Sequence, residues 1–119
     1  MKWMEIREQY PKSWELFKGW IEANYEAPWE TENNEVYWSY YAYTPEELRD
    51  RMLFDFFDLQ DVLMWAEPYS NEDDGEVVCW SSAVSIGNSI EWNYDFKNRV
   101  EAENDCYKRA FEFLEKLHE

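Results

Sequence analysis

The chain has 119 residues, a length that suits one domain. It carries 27 Asp and Glu against 11 Lys and Arg, a formal net charge of −16, which excludes a simple nucleic-acid binder or a binder of anionic membranes. The 8 Trp, 9 Tyr and 7 Phe exclude an acidic disordered tail, which is poor in large apolar residues.

Trp3, Ile6 and Tyr10 recur at helical spacing and predict a first helix, which Pro11 ends or restarts. Trp14, Phe17, Trp20 and Ile21 predict a second, amphipathic one. Residues 24–34 read as loop, with Pro28 inside and Glu26, Glu30, Glu32 and Glu35 in or beside it. Residues 36–43 crowd Tyr37, Trp38, Tyr40, Tyr41 and Tyr43 together, as a short strand or an aromatic loop.

Thr44-Pro45-Glu46-Glu47 is a helix start: Thr caps, Pro suits the first helical position and Glu47 completes a capping box. This helix is expected to run to about Asp58, with Leu48, Met52, Phe56 and Leu59 along one side. Asp55, Asp58 and Asp61 lean toward another side. Residues 62–67 predict a first strand, Asp74-Gly75 a hairpin connection, residues 77–85 a second strand and Gly87-Asn88 the next turn.

In the third strand Ile90, Trp92, Tyr94 and Phe96 alternate with Glu91, Asn93 and Asp95. That period of two predicts one buried sheet face and one acidic, wet face. Asn98, with Glu101 three residues on, opens a last helix. Its Val100, Cys106, Tyr107, Ala110, Phe111, Phe113, Leu114 and Leu117 cover about half the circumference, and Glu103 falls within that half beside Arg99. The expected architecture is a single α+β domain: N-terminal helices, a three-stranded antiparallel meander, and a C-terminal helix packed on the sheet.

Cys79 and Cys106 sit at apolar-patterned positions and read as reduced, packed thiols. No apolar run follows the start as a secretory leader would, and the longest, residues 62–66, is far too short to span a membrane. A cytoplasmic location and no membrane association are the expectations.

Charge is unevenly placed. Between Gly19 and Phe96 only Arg49 and Arg51 are basic, against 18 carboxylates. Spread evenly, the chain's acids would give roughly one per 260 Å² of surface, against about one phosphate per ~110 Å² of duplex DNA. A nucleic-acid mimic must therefore gather its acids on one face.

Catalytic groups are scarce. His118 is the lone histidine, beside the last residue, where a Ser–His or Cys–His pair is hard to build. The chain has 3 Gly and no phosphate-cradling loop. No CxxC, HxxxH or HExxH occurs, and residues 71–76 lack the full ligand spacing of a calcium loop. No metal site, no cofactor and no enzyme are expected. Carboxylates beside aromatics also describe a glycan hydrolase, a remote alternative that 27 acids would suggest by chance.

Tyr10-Pro11-Lys12-Ser13-Trp14, Leu53-Phe54-Asp55-Phe56-Phe57-Asp58, Arg99-Val100-Glu101-Ala102-Glu103 and the stretch Ala110-Phe111-Glu112-Phe113-Leu114-Glu115-Lys116-Leu117 form a set of motifs. The set resembles small uncharacterised proteins of phages and prophages, in which L-x-D-F-F-D precedes strands and a final helix runs from R-x-E-A-E to A-F-E-x-L-E. The resemblance covers about half the chain and touches no active site. It implies an inhibitor of host defence, such as an anti-CRISPR or anti-restriction protein.

The expected function is a small acidic inhibitor acting in the host cytoplasm. Its partner would be a basic nucleic-acid-handling protein, such as a Cas effector or a restriction enzyme, with no direct contact to nucleic acid. Glu30, Glu32, Glu35, Asp55, Asp58, Asp61, Glu72, Asp73, Asp74 and Glu76 would steer it and mimic phosphates. Tyr37, Trp38, Tyr40 and Tyr41 would form an aromatic hot spot. The alternative is a non-catalytic regulatory or assembly module that binds through the aromatic patch alone.

Overall fold

A computed structural model describes residues 3–24 and 46–119, with side chains from 6–24 and 51–119. Helix α1 covers Trp3–Gln9 and α2 covers Pro11–Asn24. The backbone barely pauses between them, since Trp14 N–H donates to the Tyr10 carbonyl at 2.8 Å. Pro11 takes the first position of α2, where its missing N–H costs nothing. Helix α3 spans Glu46–Leu59. Its predicted Thr44 cap lies outside the described residues.

Strands β1 (Val62–Ser70), β2 (Val77–Ile86) and β3 (Ser89–Phe96) form an antiparallel sheet in the order β1-β2-β3. β1 runs three residues past its predicted end, through Pro68, because an edge strand tolerates a residue that cannot donate. The turn after β2 is made by Gly87 at φ +61 and Asn88, joining the paired residues Ile86 and Ser89. A positive φ at the first turn position is what a tight hairpin asks of glycine.

Helix α4 (Arg99–Leu117) opens as predicted: Asn98 Oδ1 accepts from the Glu101 N–H at 2.9 Å. The Glu101 carboxylate reaches back one residue further than expected, to the Lys97 N–H at 3.1 Å. The architecture is therefore α+β, with α4 lying on one face of the sheet.

The core lies between that sheet face and the helices. Ile6, Trp14, Phe17 and Ile21 come from α1 and α2, Met52, Leu53, Phe56 and Phe57 from α3, Val62, Met64 and Val84 from the sheet. Cys106, Tyr107, Ala110, Phe111 and Leu114 of α4 complete it. Edge-to-face contacts tie the layers together: Phe57 meets Phe111 at 4.8 Å and Phe17 meets Phe56 at 5.0 Å. Each fully buried side chain of this size stabilises the fold by about 1.5–3 kcal/mol.

The motif Leu53–Asp58 is explained by this packing, since Leu53, Phe56 and Phe57 point into the core. Leu59, Val100 and Leu117 were expected on apolar helix faces, yet all three are exposed. They sit at the ends of their helices, beyond the reach of the neighbouring layer. Ser13 fastens α2 to α4: its Oγ donates to the Phe111 carbonyl at 2.9 Å and its N–H to Glu115 at 2.8 Å. Cys79 and Cys106 are both free thiols, the second buried.

Candidate functional site

The pairing of the strands sorts their side chains onto two faces. Val62, Met64 and Ala66 of β1 align with Ile86, Val84 and Ser82 of β2, then with Ser89, Glu91 and Asn93 of β3. This is the inner face, under α4. Leu63, Trp65 and Glu67 align with Ser85, Ala83 and Ser81, and the first two rows end on Ile90 and Trp92. This is the outer face. A bulge opposite Ser81 places Tyr94 and Asp95 at the end of the third row, with Asp95 at φ +70.

That sorting corrects the reading of β3. Its apolar set was expected to be buried, yet Ile90 and Tyr94 are 52% and 63% exposed and Trp92 is half-buried. Glu91 and Asn93 lie on the helix side instead, while the bulge turns Asp95 into the outer row and Phe96 to the inner face opposite Trp80. Asp105 accepts from Ser82 Oγ in a short contact, from Asn93 Nδ2 at 3.0 Å and from Arg109 Nε at 2.9 Å. Arg109 also donates to the Glu91 carbonyl at 3.0 Å and to Ser82 Oγ at 2.6 Å. The helix core packs over β1 and β2, so only this polar arm reaches β3. Ser82 is fully buried, which makes the cluster a fastening rather than a reactive site.

On the outer face large side chains on the two edge strands flank small ones on β2. Trp65 and Trp92 meet at right angles, 5.6 Å apart, over Ala83, which is completely covered. Tyr94 stacks on Trp92 at 6.2 Å and 12°. Leu63 and Tyr69 add exposures of 53% and 62%. The Trp65 indole N–H donates to Glu67 Oε1 at 2.9 Å, which holds that carboxylate beside the rings. Together these side chains make the outer face a candidate for binding.

The predicted acids fall elsewhere. Asp55 is half-buried and pairs with Arg51 at 3.1 Å. Asp58 is exposed near the end of α3, and exposed Asp61 follows the helix at φ +59. Glu72, Asp73, Asp74 and Glu76 are exposed in the β1–β2 turn, where Asp74 accepts from the Glu76 N–H at 2.9 Å. β1 separates the two groups by about 27 Å, at ~3.4 Å per residue. They bracket the sheet and do not merge into one cluster. Glu30, Glu32, Glu35, Tyr37, Trp38, Tyr40 and Tyr41 lie outside the described residues.

Trp65, Trp92, Tyr94 and Glu67 were not among the predicted site residues. One signal pointed to them. Asp105 and Arg109 sit four residues apart beside the apolar stripe of α4, so part of that helix had to meet polar strand residues.

Among the described residues no group of three His, Cys, Asp or Glu is placed to hold a metal ion. A shallow groove of about 450 Å³ at the start of α2 is lined by Pro11, Lys12, Glu15, Leu16 and His118. Its one carboxylate, Glu15, pairs with Lys18 at 3.3 Å, whereas glycoside hydrolysis needs two facing acids. Among the described residues no helix is long and apolar enough to cross a membrane. Comparison with protein-family models, curated proteins and solved structures returns no match.

Proposed function

We propose that this protein is a non-catalytic binding module that docks on another protein through the outer face of its sheet. One observation carries the reading: Leu63, Tyr69, Ile90 and Tyr94 are each more than half exposed around the Trp65–Trp92 pair. Trp and Tyr dominate protein hot spots because they bury much area with few rotatable bonds. The acids at both ends of the sheet steer such a face toward basic surfaces and speed encounter.

Proteins that handle nucleic acids carry such basic surfaces. The motif resemblance adds Cas effectors and restriction enzymes as the partners to try first, with inhibition as the consequence. In this reading the carboxylates guide the approach and the aromatic face holds the complex.

The test is inhibition of, and binding to, a panel of purified Cas effectors and restriction enzymes. Tyr94→Ala and Trp92→Ala should remove most of the affinity for the responding partner. Charge reversal of Asp55, Asp58 and Asp61 should slow association, more at low salt than at high salt. Retention of full affinity by both aromatic variants would remove the outer face as the contact.

A further inference from the structure

We infer that the outer face takes a cationic segment of its partner, with a guanidinium laid on Trp92 and Tyr94 and its charge met by Glu67. This rests on the docking reading above and names what is docked.

Charge is the first argument. From Val62 to Phe96 the chain has seven carboxylates and no Lys or Arg, and the two guanidinium groups that reach the sheet, Arg99 and Arg109, lie on its inner face. Glu67 stands on the outer face itself, and Asp95 lies in the bulge beside Tyr94, in the same row. A second copy of this chain would bring two such faces together against their own repulsion. A cationic occupant is attracted to the same place.

Ring geometry is the second. A guanidinium is planar, weakly hydrated and drawn to the negative faces of Trp and Tyr. Tyr94 and Trp92 lie nearly parallel, and Tyr94 is open to solvent. Glu67 spends one acceptor position on the Trp65 indole, and a carboxylate has several. The sheet already holds one such contact on its other face, where the Arg99 Cζ lies 4.7 Å from the centre of the Trp80 ring.

Size is the third. Three strands at ~4.8 Å spacing and about 27 Å of length present roughly 400 Å². That is about half of what one partner buries in a standard interface. It matches one extended or helical segment, as α4 does on the opposite face.

The experiment titrates the ¹⁵N-labelled full-length chain with three strand-length synthetic peptides, alternating Leu with Arg, Lys or Glu. The Arg peptide should bind tightest and move the indole N–H signals of Trp65 and Trp92, and the Glu peptide should not bind. Tyr94→Ala and Glu67→Lys should each weaken the Arg peptide about tenfold. Glu72→Gln combined with Asp73→Asn, in the turn, should leave the indole shifts in place.

Unmoved indole signals would overturn the inference, as would equal binding of Arg and Lys peptides. So would loss of binding in the turn variant with retention in Tyr94→Ala, or concentration-dependent pairing of the chain through this face. A partner protein whose binding needs Trp92 but ignores Glu67→Lys would leave the docking reading standing and remove this one.

Discussion

The two faces of one three-stranded sheet follow opposite rules. The inner face is packed under α4 along β1 and β2, and at β3, where Glu91 and Asn93 stay exposed, Asp105 and Arg109 reach across to it. The outer face carries the larger aromatic side chains of β1 and β3, and no described helix covers them. Apolar alternation in a strand therefore says that its two faces differ, and leaves open which one is covered.

That contrast can be broken by stability measurements. The largest expected effect is Phe111→Ala on the inner side, which removes a fully buried ring in contact with Phe57 and Phe17. Urea unfolding should show a loss of about 3–5 kcal/mol. Next comes Arg109→Met, which leaves Asp105, Ser82 and the Glu91 carbonyl short of a donor. The pair is partly solvated, so the cost should be about 1–3 kcal/mol. Smallest is Tyr94→Ala on the outer face, expected within about 0.5–1 kcal/mol because the ring is exposed. A Tyr94→Ala loss as large as that of Phe111→Ala would break the comparison.

Alkaline pH sharpens it from the inner side. Burial holds the Cys106 thiol above its ordinary value, opposed by a backbone contact at Ala83 and by the charge of Arg109. Burial, then the Glu112 carboxylate, raises the Tyr10 phenol in the same direction. An acid whose folded value is raised keeps its proton in the native state after the unfolded chain has lost it. Stability is then full below the unfolded value and falls as pH rises through the interval above it. Thermal midpoints should start to fall above about pH 9, where a free thiol ionises, and Cys106→Ala should remove the first part of the fall. A midpoint flat to pH 11 would contradict the buried placement of both groups.

Much of the fold was legible because its signals are local. Asn98 and Glu101 announce α4, Gly87-Asn88 announces the tight turn, and Met52 and Phe56 announce a buried side of α3. The coverage of β3 was not legible, because it depends on where a helix far away in sequence comes to rest. The spread of the acids was hidden for a similar reason. Asp61 and Glu72 are eleven residues apart in sequence, and a nine-residue strand carries them to opposite ends of the sheet. Run as a helix, the same residues would have been much closer together. The expected aromatic site, Tyr37, Trp38, Tyr40 and Tyr41, lies outside the described residues, and Ile90, Trp92 and Tyr94 of the patch that the structure does present were read as a buried face.

Hydroxyl-radical footprinting of the free protein, read residue by residue, tests most directly whether the outer sheet face is open while the layer of helices on the other side is closed. Rapid oxidation of Tyr69 and Tyr94, slower oxidation of half-buried Trp92, and strong protection of Tyr107, Phe57 and Phe111 are expected. Protection of Tyr94 and Tyr69 equal to that of Tyr107 would contradict this pattern.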